Sequence, residues 1–420
     1  MANIQMLSNG IQVFLDPMPH YQSVAVGLWV RVGSAFETRV NNGMSHMVEH
    51  MLFKGTKVRS AKDIADEMTE IGGFLDAYTT KEFTCYYTRT LDIHLKKALD
   101  IMSDMILNAV IDEEELKKEQ GVILEEIDMY EDDPDELVHE QLVKKIWRGY
   151  PIGYDISGEK EMIKNFSRSD VCQFKEKHYN SSNIVISIAG NMNVTDTYHI
   201  LEEKFADIRP GIKNEAYNQP EYHQSFVVKH KEVEQTYLNM AYRSVGCKDD
   251  RKYTLAILNN ILGGNMNSRL FQEIREDRGL AYSIDSYGNS YLSCGLLHIN
   301  AAMCPNQLEE VFTAILKVIK HLKQDKIIPK ELSISKEQLK TEIIIGNEST
   351  KSRMEAGGKH LMYDKGMITT KEMLNHIDEV TIEDIMDFTR EYFTHEELSI
   401  SLVGDTSLIN TQIIRDMLNE

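Results

Sequence analysis

Residues 41–57 read NNGMSHMVEHMLFKGTK, and within them His46, Glu49 and His50 stand at i, i+3 and i+4. On a helix these positions share a face, because i and i+4 project only about 40° apart, so the two imidazoles can meet at one point. Neutral imidazole is a good ligand for divalent zinc, and two such ligands leave room for a third and for a water. Glu49 lies on the same face and reaches the water rather than the metal, as a general base must. The order HxxEH inverts the zinc-binding HExxH pattern. The plain alternative is a pair of surface histidines on an amphipathic helix.

A third ligand has to come from elsewhere. The stretch KKEQGVILEEIDMYE (117–131) offers Glu119 and Glu126, seven apart and so nearly on one stripe of a helix. One can bind a metal while the other orients a ligand from behind. In so acidic a helix most glutamates face solvent, and the spacing alone does not choose between them.

The elements that must position these residues follow a plan that occurs twice. Asn9-Gly10 marks a hairpin turn, and SVAVGLWVRVG places Val24, Val26, Leu28, Val30 and Val32 on one face of a strand. Helical patterns at about 43–54 and 61–71 precede strands near 74–79 and 82–90. Long helices at about 92–107 and 113–131 follow, with more helix to about 179. The buried strand NIVISIAG (183–190) and a helix ending near 206 complete the set. Residues 206–224 hold two of the eight prolines and no clear period, as a linker does.

After that linker the order returns, with a helix near 250–262, strands near 281–300, long helices and a final strand. DVCQFKEKHYNSSNIVISIAGN (170–191) matches DIMDFTREYFTHEELSISLVGD (384–405): Asp170, Phe174, Tyr179 and Gly190 fall on Asp384, Phe388, Phe393 and Gly404 at one offset. The expected fold is therefore α+β, with two homologous domains from an internal duplication, each a mainly antiparallel sheet packed with helices. The expected division is 1–206 for the domain with the histidines, 207–224 for the linker and 225–420 for the second domain. The second copy of the histidine helix, TLAILNNILGGN, has no histidine, so packing alone does not require one. Its Gly263-Gly264 reads as a turn after the helix.

Length and composition set the class. A chain of 420 residues with 42% apolar residues suits two or three folded domains. A net charge of −20 disfavours nucleic acid and anionic membrane as partners. Runs such as DEEE (112–115) and EEIDMYEDDPDE (125–136) read first as solvated helix faces, and more sharply as an acidic wall that attracts basic peptides. No apolar run approaches bilayer length. The N-terminal residues lack both a secretory and an Arg-rich amphipathic signal, which makes a cytoplasmic location the default. Five scattered cysteines without a CxxC pair fit reduced thiols.

SHMVEHMLFKGT (45–56), with VILEEI (122–127) beyond it, resembles the pitrilysin/insulinase family of zinc metallopeptidases. Within that family it looks like the branch that holds mitochondrial processing peptidase and bacterial single-chain relatives. VGSAFE (32–37), GGFLDAYTTKEFTCY (72–86), GYPIG (149–153) and SRLFQEIREDRGLAYS (268–283) extend the resemblance over nearly the whole chain. The resemblance implies that His46, His50 and Glu126 hold one Zn2+ per chain, with Glu49 as the base. Glu119 matches the acidic position seven residues before the third ligand. Arg275 and Tyr282 match an Arg and a Tyr that bind substrate and stabilise the transition state.

The strand after Gly72-Gly73, with Asp76, Ala77, Tyr78 and Thr79, matches the family's edge for pairing an extended peptide. Asp76 replaces the usual Asn there. The implied activity is endopeptidase cleavage of extended or unfolded peptides in an enclosed chamber. A homodimer would complete that chamber, Arg275 and Tyr282 reaching the zinc of the partner chain. Two other readings are a non-catalytic assembly subunit and a processing protease dedicated to one precursor.

Overall fold

The computed structural model describes residues 3–215, 217–324, 327–364, 369–409, 411, 412 and 414. The chain opens with β1 (Asn3–Met6), β2 (Gln12–Pro17) and β3 (Ser23–Val30), then α1 (Met44–Leu52) and α2 (Ala61–Glu70). The antiparallel strands β4 (Phe74–Thr79) and β5 (Thr84–Leu91) precede α3 (Leu95–Asn108), α4 (Glu113–Asp132) and α5 (Pro134–Ile146). Next come α6 (Lys160–Asn165), α7 (Arg168–His178), β6 (Ile184–Gly190) and α8 (Val194–Phe205). The later half has β7 (Phe226–His230), β8 (Thr236–Ser244), α9 (Lys252–Leu262), β9 (Ser283–Ser290) and β10 (Gly295–Met303). The helices α10 (Leu308–Gln324), α11 (Pro329–Gly346), α12 (Thr350–Met362), α13 (Thr370–Glu379) and α14 (Ile382–Tyr392) lead to β11 (Leu398–Gly404).

The architecture is α+β, with two sheets of one plan. The first runs β1-β2-β6-β3-β5-β4 and the second β7-β11-β8-β10-β9. In the first, β6 lies parallel to β2 and antiparallel to β3; in the second, β11 lies parallel to β7 and antiparallel to β8. The internal match sits on these insertions. The helices α7 and α14 start with the same capping box, Ser167 with Asp170 and Thr381 with Asp384, so the aligned aspartates are the N3 residues of equivalent helices.

The alternation in β3 separates two apolar surroundings rather than core from water. Val24, Val26, Leu28 and Val30 join the core that includes Met47 and Met51 of α1, while Ala25 and Trp29 join Met354 and Leu361 of α12. A central strand covered on both faces has this character. The cover is close. A Cβ on Gly357 or Gly358 of α12 would fall 2.2 Å from the Phe14 ring or 2.1 Å from that of Trp29. The Asn9-Gly10 turn forms as expected, Gly10 taking φ of 97° and β1 pairing with β2.

The described residues form two compact units that interleave in sequence. One holds residues through Ile127, Tyr154–Tyr217 and the stretch from Ile344 through α12; the other holds 128–153, 218–343 and the later elements. Thus α5, from the earlier half, packs on β11, β8 and β7, and α12, from the later half, packs on β2, β3 and β6. Composition places one cut at 207–224, a stretch without helix or strand among its described residues, whereas the chain crosses between units several times. The reason is that each sheet needs a helix on its far face, and the apolar stripe of a helix does not specify which sheet it covers.

All five cysteines are free thiols, three of them buried. No helix among the described residues is long and apolar enough to cross a membrane.

Candidate metal centre

The start of α1 is fixed before any ligand is placed. Gly43, its N-cap, takes φ of 95° and has Ser157 O and Gly158 Cα within 3 Å of where a Cβ would stand, so only glycine fits. No side chain of the N-cap itself serves the first turn. Instead the buried carboxylate of Glu37 accepts the N–H groups of Gly43 and Ser45, both at 2.7 Å, and Nδ2 of Asn42 at 3.0 Å. Burial pushes the Glu37 carboxyl up, and these donors oppose the shift. A carboxylate at a helix N-terminus also meets the positive end of the macrodipole. Met44, Met47, Val48, Met51 and Leu52 of α1 enter the core.

The other face of α1 brings the expected ligands together. His46 Nε2 lies 3.2 Å from His50 Nε2, and Glu126 Oε2 lies 3.8 and 3.7 Å from them. Atoms bound to a tetrahedral zinc at about 2.1 Å are separated by roughly 3.4 Å, so this triangle has the size such an ion needs. Two imidazole nitrogens and one carboxylate oxygen are a donor set suited to zinc. No other group of three His, Cys, Asp or Glu among the described residues meets in this way. Burial, reinforced by the neighbouring His50, pushes His46 down to about 3, which keeps its lone pair available. Burial would lower His50 as well, but its bond to Glu119 and the charges of Glu126 and Glu49 raise it.

The helix α4 turns Leu116, Ile123 and Ile127 into the core and carries Glu119 on the same buried side. Glu126 lies two turns on, about 10 Å along the axis. Glu119 accepts from His50 Nδ1 at 3.0 Å through Oε2 and from Lys54 Nζ at 2.6 Å through Oε1. Burial would raise the Glu119 carboxyl, yet these two partners hold it below the usual carboxylate range. A histidine whose Nδ1–H is fixed by a carboxylate presents Nε2 as a ligand in one tautomer. Lys54 lies in the motif MLFKGT, but nothing in its spacing assigns it a partner.

Glu49 is 8% exposed and accepts a hydrogen bond from Thr79 Oγ1 on β4. Burial pushes its carboxyl up to about 7, against the opposing effect of Thr79 and His50. A carboxyl in that range suits proton transfer near neutral pH. Among the described residues β4 pairs only with β5, so its other side is an open sheet edge. Ala77 points towards the core below α1, whereas Tyr78 packs edge-on against Trp29 on the opposite face. Asp76 accepts from the Tyr87 hydroxyl and from the Ala77 N–H.

Arg275 and Tyr282 belong to the second unit. Arg275 sits on a π-helical turn, Phe271–Glu276, with its guanidinium 5.0 Å from the Phe271 ring centre. Tyr282, 75% exposed, directly precedes edge strand β9, and its N–H bonds to Ala302 O. An i→i+5 turn leaves no mark in apolar spacing and is not legible in the sequence.

Residues 12–160 match the family described as insulinase (peptidase family M16), and residues 165–339 match the peptidase M16 inactive domain. The chain is 40% identical to the uncharacterized zinc protease YmxG of Bacillus subtilis, covering 94% of this chain and 96% of that one. It is 34% identical to an uncharacterized zinc protease of Rickettsia felis, covering 97% and 98%. A protease from Helicobacter pylori superposes with a TM-score of 0.90 at 21% identity, over 96% of this chain and 99% of that one. The histidine-bearing helix thus stands in the part of the chain that matches the insulinase family, and the chain belongs to that family, peptidase family M16.

Proposed function

We propose that the chain is a zinc-dependent endopeptidase whose centre is held by His46, His50 and Glu126. The observation that carries this reading is the triangle of ligand atoms, 3.2 to 3.8 Å on a side, with Glu49 next to it on the same helix. When bound there, zinc supplies Lewis acidity towards a carbonyl oxygen and makes a water more acidic. Glu49 takes the proton of the attacking water and delivers it to the leaving amine. Thr79 holds that carboxylate towards the open edge of the sheet.

An extended peptide adds to β4 alongside Asp76, Ala77, Tyr78 and Thr79. Its main chain supplies the hydrogen bonds, which favours unfolded substrates over folded ones. Asp76 is acidic where the family has Asn, so the same edge prefers a basic group at that point. Tyr282 donates to the oxyanion and Arg275 holds a substrate carbonyl, both supplied across a homodimer that encloses the substrate. The free thiols suit a reducing compartment, and we place the activity in the cytoplasm.

The test is Glu49→Gln. Metal content and turnover of a quenched peptide, read on one sample, should show zinc retained and hydrolysis lower by about 10²–10⁴-fold. Unchanged turnover removes Glu49 as the base; a zinc-loaded wild type without turnover on any peptide moves the chain to an assembly role. Mixing Glu49→Gln with Tyr282→Phe chains should restore activity through the heterodimer, and failure after proven chain exchange would exclude catalysis across the dimer.

A further inference from the structure

We propose that Lys54 is a positioning residue of the metal centre: by holding Oε1 of Glu119, it fixes Oε2 on His50 Nδ1 and so aims His50 Nε2 at the point shared with His46 and Glu126. This inference rests on the zinc reading given above. Its own ground is the chain of contacts from Lys54 Nζ to Glu119 at 2.6 Å and from Glu119 to His50 Nδ1 at 3.0 Å. Each oxygen of Glu119 has one of these two partners.

Glu119 is 4% exposed, so water does not readily replace a lost partner. A buried carboxylate deprived of its cation is strongly unfavourable and swings towards whatever donor or solvent it can reach. Here that movement would release His50 Nδ1. The imidazole would then be free to turn, or to carry its proton on Nε2, where it cannot act as a ligand. Lys54 has Glu119 as its only ion-pair partner among the described residues, and its side chain is 28% exposed, so most of it is covered by protein. Its backbone N–H bonds to Met51 O, which ties the lysine to the last turn of the helix that carries both histidines. One rigid segment therefore supplies two ligands and the cation that steadies the carboxylate behind one of them.

The competing account is ordinary. Lys54 follows α1 directly, and a cation near a helix C-terminus favours the helix through its macrodipole. That role would change the stability of the zinc-free chain and leave zinc affinity alone.

The experiment uses the full-length chain with Lys54→Met, Lys54→Arg and Glu119→Gln. Zinc affinity is read by chelator competition below the melting temperature of every variant, and the melting temperature of each zinc-free chain is recorded. Lys54→Met should bind zinc about ten- to a hundredfold more weakly, as removal of such partners does elsewhere. Lys54→Arg should recover most of the loss, and Glu119→Gln should weaken binding to a similar degree. In zinc-free chains labelled with ¹⁵N-histidine and held at a pH where the imidazole is neutral, wild-type His50 should appear as the Nδ1–H tautomer and Lys54→Met as a mixture. Zinc affinity unchanged in Lys54→Met, with or without a lower melting temperature, overturns the positioning role. So does a weakened Glu119→Gln beside a wild-type-like Lys54→Met. A wild-type chain that binds no zinc removes the metal reading itself, and this inference with it.

Discussion

Two helices hold matching places in the two units, α1 after β3 in the first and α9 after β8 in the second, and each is tied to its sheet's edge strand by a hydroxyl. Thr79 on β4 donates to Glu49 of α1, and Ser286 on β9 donates to Asn259 of α9 at 2.8 Å. The bond is of the same kind, but its acceptor is a carboxylate in one unit and an amide in the other. The helix α1 carries two imidazoles and is anchored at its start by the buried Glu37; α9 has no histidine and no side-chain cap. Such a helix packs with asparagines, so packing alone does not account for the two histidines and the buried Glu49 of α1.

The largest effect comes from making the first unit like the second. His46→Asn with His50→Asn should weaken zinc binding on the order of a thousandfold or more, while the zinc-free chain keeps its circular dichroism and melts within a few degrees of wild type. Metal analysis after dialysis reads the first quantity. Stoichiometric zinc in the double variant would break the comparison.

The helices covering the far faces differ too, and this predicts an intermediate effect of pH. In the first unit α12 meets Phe14 and Trp29 with glycines; in the second, His139 of α5 meets Asn239 and Tyr287, and Asn239 meets His298. Burial, with the neighbouring His139, pushes His298 down to about 3. The folded value lies below the unfolded one near 6.5, so the contribution to stability is complete above that pH and is lost as the pH falls. Between pH 6.5 and 5 the loss from this residue is about 2 kcal/mol. Urea unfolding at both pH values should show His298→Asn losing less than wild type by about that amount. Equal losses would mean that this cluster accepts a proton without cost.

The smallest effect separates the two hydroxyls. Thr79→Val and Ser286→Ala should each cost about 1 kcal/mol in urea unfolding. Only Thr79→Val should lower peptide turnover, because its partner Glu49 is the proposed base and Asn259 is an amide. A matched fall in turnover for both would show that the two bonds act through the fold alone.

Much of this was legible in the sequence because it leaves a period or a spacing. The alternation from Val24 to Val30 marks a strand, though not its central place in the sheet, and the i, i+4 histidines with Glu49 between them mark a shared helix face. The match of Asp170 to Asp384 pointed to the repeated plan, since both are N3 caps of equivalent helices. Three features left no such trace. The pairing of Lys54 with Glu119 joins the segment just after α1 to α4, 65 residues on, and a lone lysine has no period. That Glu126 rather than Glu119 approaches the Nε2 atoms of both histidines depends on a displacement of about 10 Å along one helix. The exchange of α5 and α12 escaped because an amphipathic stripe requires a partner without naming it.

That exchange bears on how the protein comes off the ribosome. When β6 has emerged, every strand of the first sheet is available, yet Trp29 and Phe14 still lack Met354, Gly357 and Gly358. The sheet must wait, one side bare, until Met362 has been made. A nascent chain stalled before that residue should be a client for chaperones, and release of the finished helix should end the dependence.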